Sequence, residues 1–163
     1  MKTAILRWIG IFIGCFALQT TLVPVIAIAG VHPDLLMVAL FFLAVRTGQM
    51  TGVWVGFFMG LAQDLYAPSI LGQNALSKAV AGFFAGIFNE KVMRVDPLVH
   101  LVFLFIMFII HDTLFHIVQN VKNGGGIVFH ELLTVSIPRA LYSLLFALLP
   151  YIKDRFFPSF RRR

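Results

Sequence analysis

The chain has 163 residues, of which 60% are hydrophobic and 12% charged, and its mean hydropathy is +0.92. That composition excludes an ordinary water-soluble domain. The formal net charge is +6, but the basic residues gather at the ends of apolar stretches, a distribution that sets membrane topology rather than one that grips nucleic acid.

Six apolar segments follow one another, Ile5–Ala29, Pro33–Val45, Thr51–Leu65, Leu76–Phe88, Pro97–Val118 and Leu132–Ile152. They predict an all-α integral membrane protein, a bundle of about six transmembrane helices forming one polytopic domain over residues 1–163, with no length left for a soluble catalytic domain. The first, fifth and sixth segments reach the roughly 20 residues that a spanning helix needs. The other three are shorter and must thin the bilayer or hide inside the bundle.

At the N-terminus, Lys2 and Arg7 precede the apolar run and Ala27-Ile28-Ala29 imitates a signal-peptidase site. The run is long for a signal peptide, and Gln19, Thr20 and Thr21 interrupt it, which predicts a retained helix. Cys15, the sole cysteine, allows no internal disulfide. Arg46 and Lys78, at segment ends, are placed to snorkel toward water.

The third segment carries Gly48, Gly52, Gly56 and Gly60 at four-residue steps, and the next step is Asp64. On a helix the four glycines cover about 18 Å of one side. Such a row serves close packing within the chain or against another protein. A second small-residue row in the fourth segment, Ala75, Ala79, Gly82 and Gly86, favours an internal seam. Beyond the ladder, Tyr66-Ala67-Pro68 ends the helix and Asn74 opens the next, so Asp64 reads as a cap or loop anchor, or else as a contact on the outer face.

In the last two segments, Asp112 lies about 12 Å and Arg139 about 10 Å below the outer ends of two helices joined as a hairpin. Ionisable groups at that depth are functional candidates, and these two are expected to pair, as a structural ion pair locking the hairpin or else as a proton or substrate site. His111 and His116 flank them, with His116 one turn beyond Asp112, but no convincing third ligand completes a metal site. His130-Glu131 starts a zinc-protease motif that Thr134 breaks. With no phosphate loop or nucleophile motif, no catalytic residue, cofactor or metal is expected. Asp64, Asn74, Asp112, His116 and Arg139 form the candidate outer-leaflet polar or partner site.

Orientation follows from charge. With both termini cytoplasmic, the inner side holds Lys2, Arg7, Arg46, Lys91, Arg94, Lys153, Arg155, Arg161, Arg162 and Arg163, against Lys78 and Lys122 outside. Residues 153–163 form a basic cytoplasmic tail suited to anionic headgroups. Gly124-Gly125-Gly126 reads as an outer turn.

The stretch Gly52-x-x-x-Gly56-Phe57-x-x-Gly60-Leu61-x-x-Asp64-Leu65, then Pro68, Leu71-Gly72 and Asn74-Ala75-Leu76, resembles the rod shape-determining protein MreD family. So do Leu18-Gln19-Thr20 and Pro24, followed by Pro33-Asp34-Leu35-Leu36, and a last helix containing Pro150. The fifth and sixth segments share hydropathy only. The motif residues are Gln19, Pro24, Pro33, Asp34, Asp64, Pro68, Gly72 and Asn74. The resemblance implies a non-enzymatic, multi-pass bacterial inner-membrane subunit of the cell-elongation complex, binding MreC and linking MreB filaments to peptidoglycan synthesis by RodA and a class B penicillin-binding protein. It also implies a fold like the substrate-binding subunits of energy-coupling-factor transporters. A transport component, binding a vitamin or handling a lipid-linked precursor, is the alternative.

Overall fold

The computed structural model describes residues 2–28, 30–67, 70–88, 97–123 and 128–156. Of the positions singled out above, Ala29, Pro68, Lys91, Arg94, Gly124-Gly125-Gly126, Arg161, Arg162 and Arg163 lie outside the described residues. The chain forms α1 (Lys2–Thr21), α2 (Leu35–Thr47), α3 (Gln49–Tyr66), α4 (Gln73–Ile87), α5 (Pro97–Asn123) and α6. Helix α6 runs through Val128–Glu131, a π-helical stretch Leu132–Ser136 and Ile137–Phe156. Among the described residues, one apolar run is long enough to cross a bilayer, Leu98–Asn120 in α5. Those of the first and last helices are shorter, Trp8–Thr21 and Leu132–Leu148.

The first segment stops being helical at Thr21, short of the expected Ala29. The Thr20 and Thr21 hydroxyls both donate to Ala17 O, and Val23 N–H reaches back to Leu18 O, so side chains and backbone together close the last turn. The chain then reverses at Gly30, whose φ of +80° places it in the left-handed region, inside the Ile28–Val31 bridge. Pro24 is exposed on this connection, whereas Pro33, at its end, is buried.

Helix α2 is apolar all round and is buried to match, with Leu36 through Phe41 and Leu43 through Val45 enclosed. Its 13 residues reach about 20 Å, and the neighbouring helices wrap this short apolar segment. Met37, Leu40, Phe41 and Ala44 pack with Leu104, Met107 and Phe108 of α5 and with Ala81, Ala85, Ala140 and Ala147 of α4 and α6. The small residues on α4 and α6 let those helices approach the bulky centre.

The tightest contact joins α3 and α4. A Cβ at Gly52 would strike the Gly82 carbonyl, one at Gly56 the Lys78 carbonyl and one at Gly60 the Asn74 carbonyl and Ala75 Cα. Gly86 closes on Gly48 and Gln49. The partners step by four in opposite directions, which is an antiparallel backbone-to-backbone seam and places Ala75, Ala79, Gly82 and Gly86 against the ladder. Gly48 departs from the expected pattern. It is the single residue between α2 and α3 and has φ +93°, so it is a left-handed hinge and not a helical rung. The outward faces remain apolar, with Trp54, Phe58, Phe83, Phe84, Leu141 and Leu145 exposed, the reverse of a surface built for water.

Candidate functional site

The polar residues that a bilayer makes costly converge on the bundle interior. Asp34 is the N-cap of α2, where its Oδ1 accepts the Met37 N–H at 2.9 Å. Its backbone N–H donates to Ser143 Oγ of α6 at 3.0 Å. Gln19 of α1 holds the same corner, donating to Pro33 O at 3.0 Å and accepting the Leu35 N–H at 2.9 Å. Tyr142 adds a hydrogen bond from its hydroxyl to Ile26 O at 3.0 Å. Three helices therefore grip the connection that the motif residues Gln19, Pro33 and Asp34 define.

The second oxygen of Asp34 meets Lys78, with Oδ2 2.7 Å from Nζ. This overturns the expectation that Lys78 snorkels or belongs to an outer loop. Lys78 lies within α4 and is fully buried, because the glycine seam draws its backbone against Gly56 and Asp34 supplies the counter-charge inside the bundle. Nζ also lies 3.2 Å from His111 Nε2. A lysine ammonium has donors only, so Nε2 must accept, and the imidazole hydrogen sits on Nδ1. There it donates to Asp112 Oδ1 at 2.8 Å.

Arg139 Nη1 stands 3.7 Å from that same oxygen, close enough for an ion pair and too far for a hydrogen bond. Asp34 and Asp112 carry two negative charges, Lys78 and Arg139 two positive ones, and His111 is neutral. The cluster sums to zero, which is what makes its removal from water tolerable.

A second arm runs along the hairpin. His116 Nε2 is 3.2 Å from Ser136 Oγ, and His116 Nδ1 is 2.9 Å from Glu131 Oε2. Ser136 closes the π-helical stretch Leu132–Ser136; π-helical turns occur mostly as single-turn bulges inside α-helices, frequently at functional sites. Among the described residues, no group of three histidine, cysteine or acidic side chains is disposed to hold a metal ion.

Asp64 and Asn74 belong to a different group of bonds. The Asp64 carboxylate accepts the backbone N–H groups of Gly72, Asn74 and Ala75, each at 3.0 Å, and the Asn74 side-chain amide at 2.9 Å. It thus caps the start of α4 from the end of α3, and Gly72, at φ +94°, makes the turn possible. Gln73 ties this turn to α5 through Phe115 O at 2.8 Å. The bonds described thus divide the five outer-leaflet candidates between two places, Asp64 with Asn74 at the α3–α4 turn and Asp112, His116 and Arg139 on the α5–α6 hairpin.

Sequence reasoning left Lys78, Ser143 and Glu131 out of the site. Lys78 had a usable signal, since a lysine flanked by the small residues Ala75, Ala79 and Gly82 sits on the contact face and not on a rim. Ser143 had none, because its partner lies 109 residues away.

An all-helical membrane bundle whose ionisable residues neutralise one another inside it, and whose apolar faces point outward, is a membrane-embedded structural component. The family model of rod shape-determining protein MreD matches residues 2–157. The chain belongs to that family, and its role lies in rod-shape determination. No curated protein and no solved structure matches it.

Proposed function

We propose that this chain is the non-enzymatic scaffold of the cell-elongation complex in the bacterial inner membrane, multi-pass with both termini cytoplasmic and residues 153–163 as a basic tail. It binds MreC and, through that assembly, links MreB filaments to peptidoglycan synthesis by RodA and a class B penicillin-binding protein. The observation that carries this reading is the use of the interior charges. Asp34, Lys78, Asp112 and Arg139 balance one another, so the polar groups best placed for chemistry are committed to holding helices together. The exposed faces of α1, α3 and α6 are apolar, with Ile9, Ile13, Trp54, Phe58, Leu141 and Leu145 outermost, the surface that a partner's membrane helix or lipid meets. A bundle arranged like the substrate-binding subunits of energy-coupling-factor transporters is compatible with six helices of this kind.

The test is genetic and biochemical. Removing the gene from a rod-shaped host makes cells round, and MreC co-purifies with the tagged chain from membranes. Normal shape after clean removal from a host with no second copy overturns the proposal. Crosslinking scanned along α1, α3 and α6 locates the MreC contact. The alternative, a transport component, would reveal itself by a small molecule carried through purification that raises the Tm when added back.

A further inference from the structure

The helices that face outward are not equally tall. Helix α5 exposes Leu98, Val102, Ile106 and Ile117, a strip of about 29 Å, close to the roughly 30 Å of a bilayer's hydrocarbon core. The α3–α4 pair is shorter, and its seam fixes both of its ends. Gly86 of α4 closes on Gln49, where α3 begins. The Asp64 carboxylate, near the end of α3, accepts the N–H groups of Gly72, Asn74 and Ala75, where α4 begins. The two helices therefore share two levels, Gln49 and Asp64, about 23 Å apart. At the first level Arg46, Thr47 and Gln49 are exposed around the left-handed Gly48. At the second, the non-helical turn before α4 carries Leu71 on the surface. Non-helical backbone facing lipid does not occur inside hydrocarbon, and an exposed arginine head seeks water, so both levels lie at the headgroups.

Between these levels the outward face is aromatic, with Trp54, Phe57 and Phe58 of α3 and Phe83 and Phe84 of α4 exposed. Trp54 stacks on Phe58 with ring centroids 6.3 Å apart, and Phe83 meets Phe84 edge-on at 5.7 Å. A second transmembrane helix docks closely where small residues let backbones approach. Here Gly52, Gly56, Gly60, Gly82 and Gly86 are all turned into the seam, and the bulky rings left outside suit fluid acyl chains. We propose that the α3–α4 face is a docking surface for lipid, drawing the two leaflets together by about 7 Å beside the seam and selecting phospholipids with shorter acyl chains. Tilting does not relieve the mismatch, because tilt lowers the height of a helix and never raises it. The effect is one-sided: the bilayer keeps its ordinary thickness along α5 and is thinned along α3 and α4.

The experiment uses the full chain in phosphatidylcholine vesicles. Trp8→Phe leaves Trp54 as the single tryptophan, and brominated dioleoyl phosphatidylcholine quenches it wherever the chains touch it. Unbrominated dimyristoleoyl phosphatidylcholine should displace the brominated lipid from Trp54 about twofold or more better than dierucoyl phosphatidylcholine does. Trp8→Phe combined with Trp54→Phe and Ile106→Trp moves the probe to the full-height face, where the preference for short chains should vanish. The proposal is overturned by equal displacement by the two lipids at Trp54, by the same short-chain preference at both probes, or by a Trp54 that brominated lipid leaves unquenched because a second copy covers it. Should the moved probe fail to fold, thiol labelling reads the height directly. On a Cys15→Ser background, Gln49→Cys and Leu71→Cys in dioleoyl nanodiscs should both react with a membrane-impermeant maleimide, since both levels lie at water. A thiol that stays unreactive at either level refutes the thinning.

Discussion

Replacing Lys78 with methionine keeps a straight side chain of nearly the same volume and removes only the ammonium. In the native bundle Nζ lies 2.7 Å from Asp34 Oδ2. At an effective dielectric of about 20, an attraction at that distance is worth about 6 kcal/mol before desolvation is subtracted. Losing one partner of such a pair costs about 3–5 kcal/mol, because the remaining charge stays buried. Asp34 retains its Met37 N–H bond, so Lys78→Met falls toward the lower part of that range. Asp34→Asn combined with Lys78→Met removes both charges while the amide oxygen preserves the N-cap. The double variant should recover about 2 kcal/mol relative to Lys78→Met alone. Equilibrium unfolding in bicelles, run as a double-mutant cycle, reads both numbers. A single substitution costing less than about 1 kcal/mol, or a double variant whose loss equals the sum of its parts, would refute the buried-pair account.

Gly56→Ala should destabilise the protein by about 2 kcal/mol or more in the same assay, since its Cβ meets the Lys78 carbonyl and the two backbones must part. Gly14→Ala is the control, with nothing within 4 Å of the added Cβ, and should be neutral or stabilising by up to about 1 kcal/mol; equal losses at the two sites would mean that helix packing does not distinguish them. Asp64→Ala removes the acceptor for the N–H groups of Gly72, Asn74 and Ala75 and should cost about 2–4 kcal/mol. Hydrogen exchange should quicken at those three amides before it does so in α5. Ser143→Ala deletes the bond to the Asp34 N–H and should cost about 1 kcal/mol, and thermal unfolding that matches wild type would show that this bond contributes nothing.

The glycine seam was largely legible in the linear chain. Four-residue steps repeat on one helix face whatever surrounds it, so Gly52, Gly56 and Gly60 and the row from Ala75 to Gly86 declared both surfaces, while their opposed register was set by how α3 and α4 meet. Gly48 escaped because spacing cannot tell a helical glycine from a left-handed one, and the closure of α2 onto α3 decided it. Asp64 was readable as an anchor from its place at a helix end before a turn. Asp112 and Arg139 announced themselves as charges in apolar segments, but the 3.7 Å gap between them and the imidazole that takes the near oxygen depend on how three helices meet.

Composition and hydropathy determined, without help from packing, that the chain belongs in a bilayer as a bundle of helices, because the cost of exposing apolar side chains or unpaired backbone is set residue by residue. Where the charges go was decided only in three dimensions. A lysine near a helix end has two solutions, snorkelling to water or burial against an anion, and their free energies differ by whether another helix delivers a carboxylate to its tip. For Lys78 that carboxylate is Asp34, 44 residues earlier, held in place by Gln19 and Ser143. No local pattern encodes such a meeting, because its energy exists only once the helices are assembled.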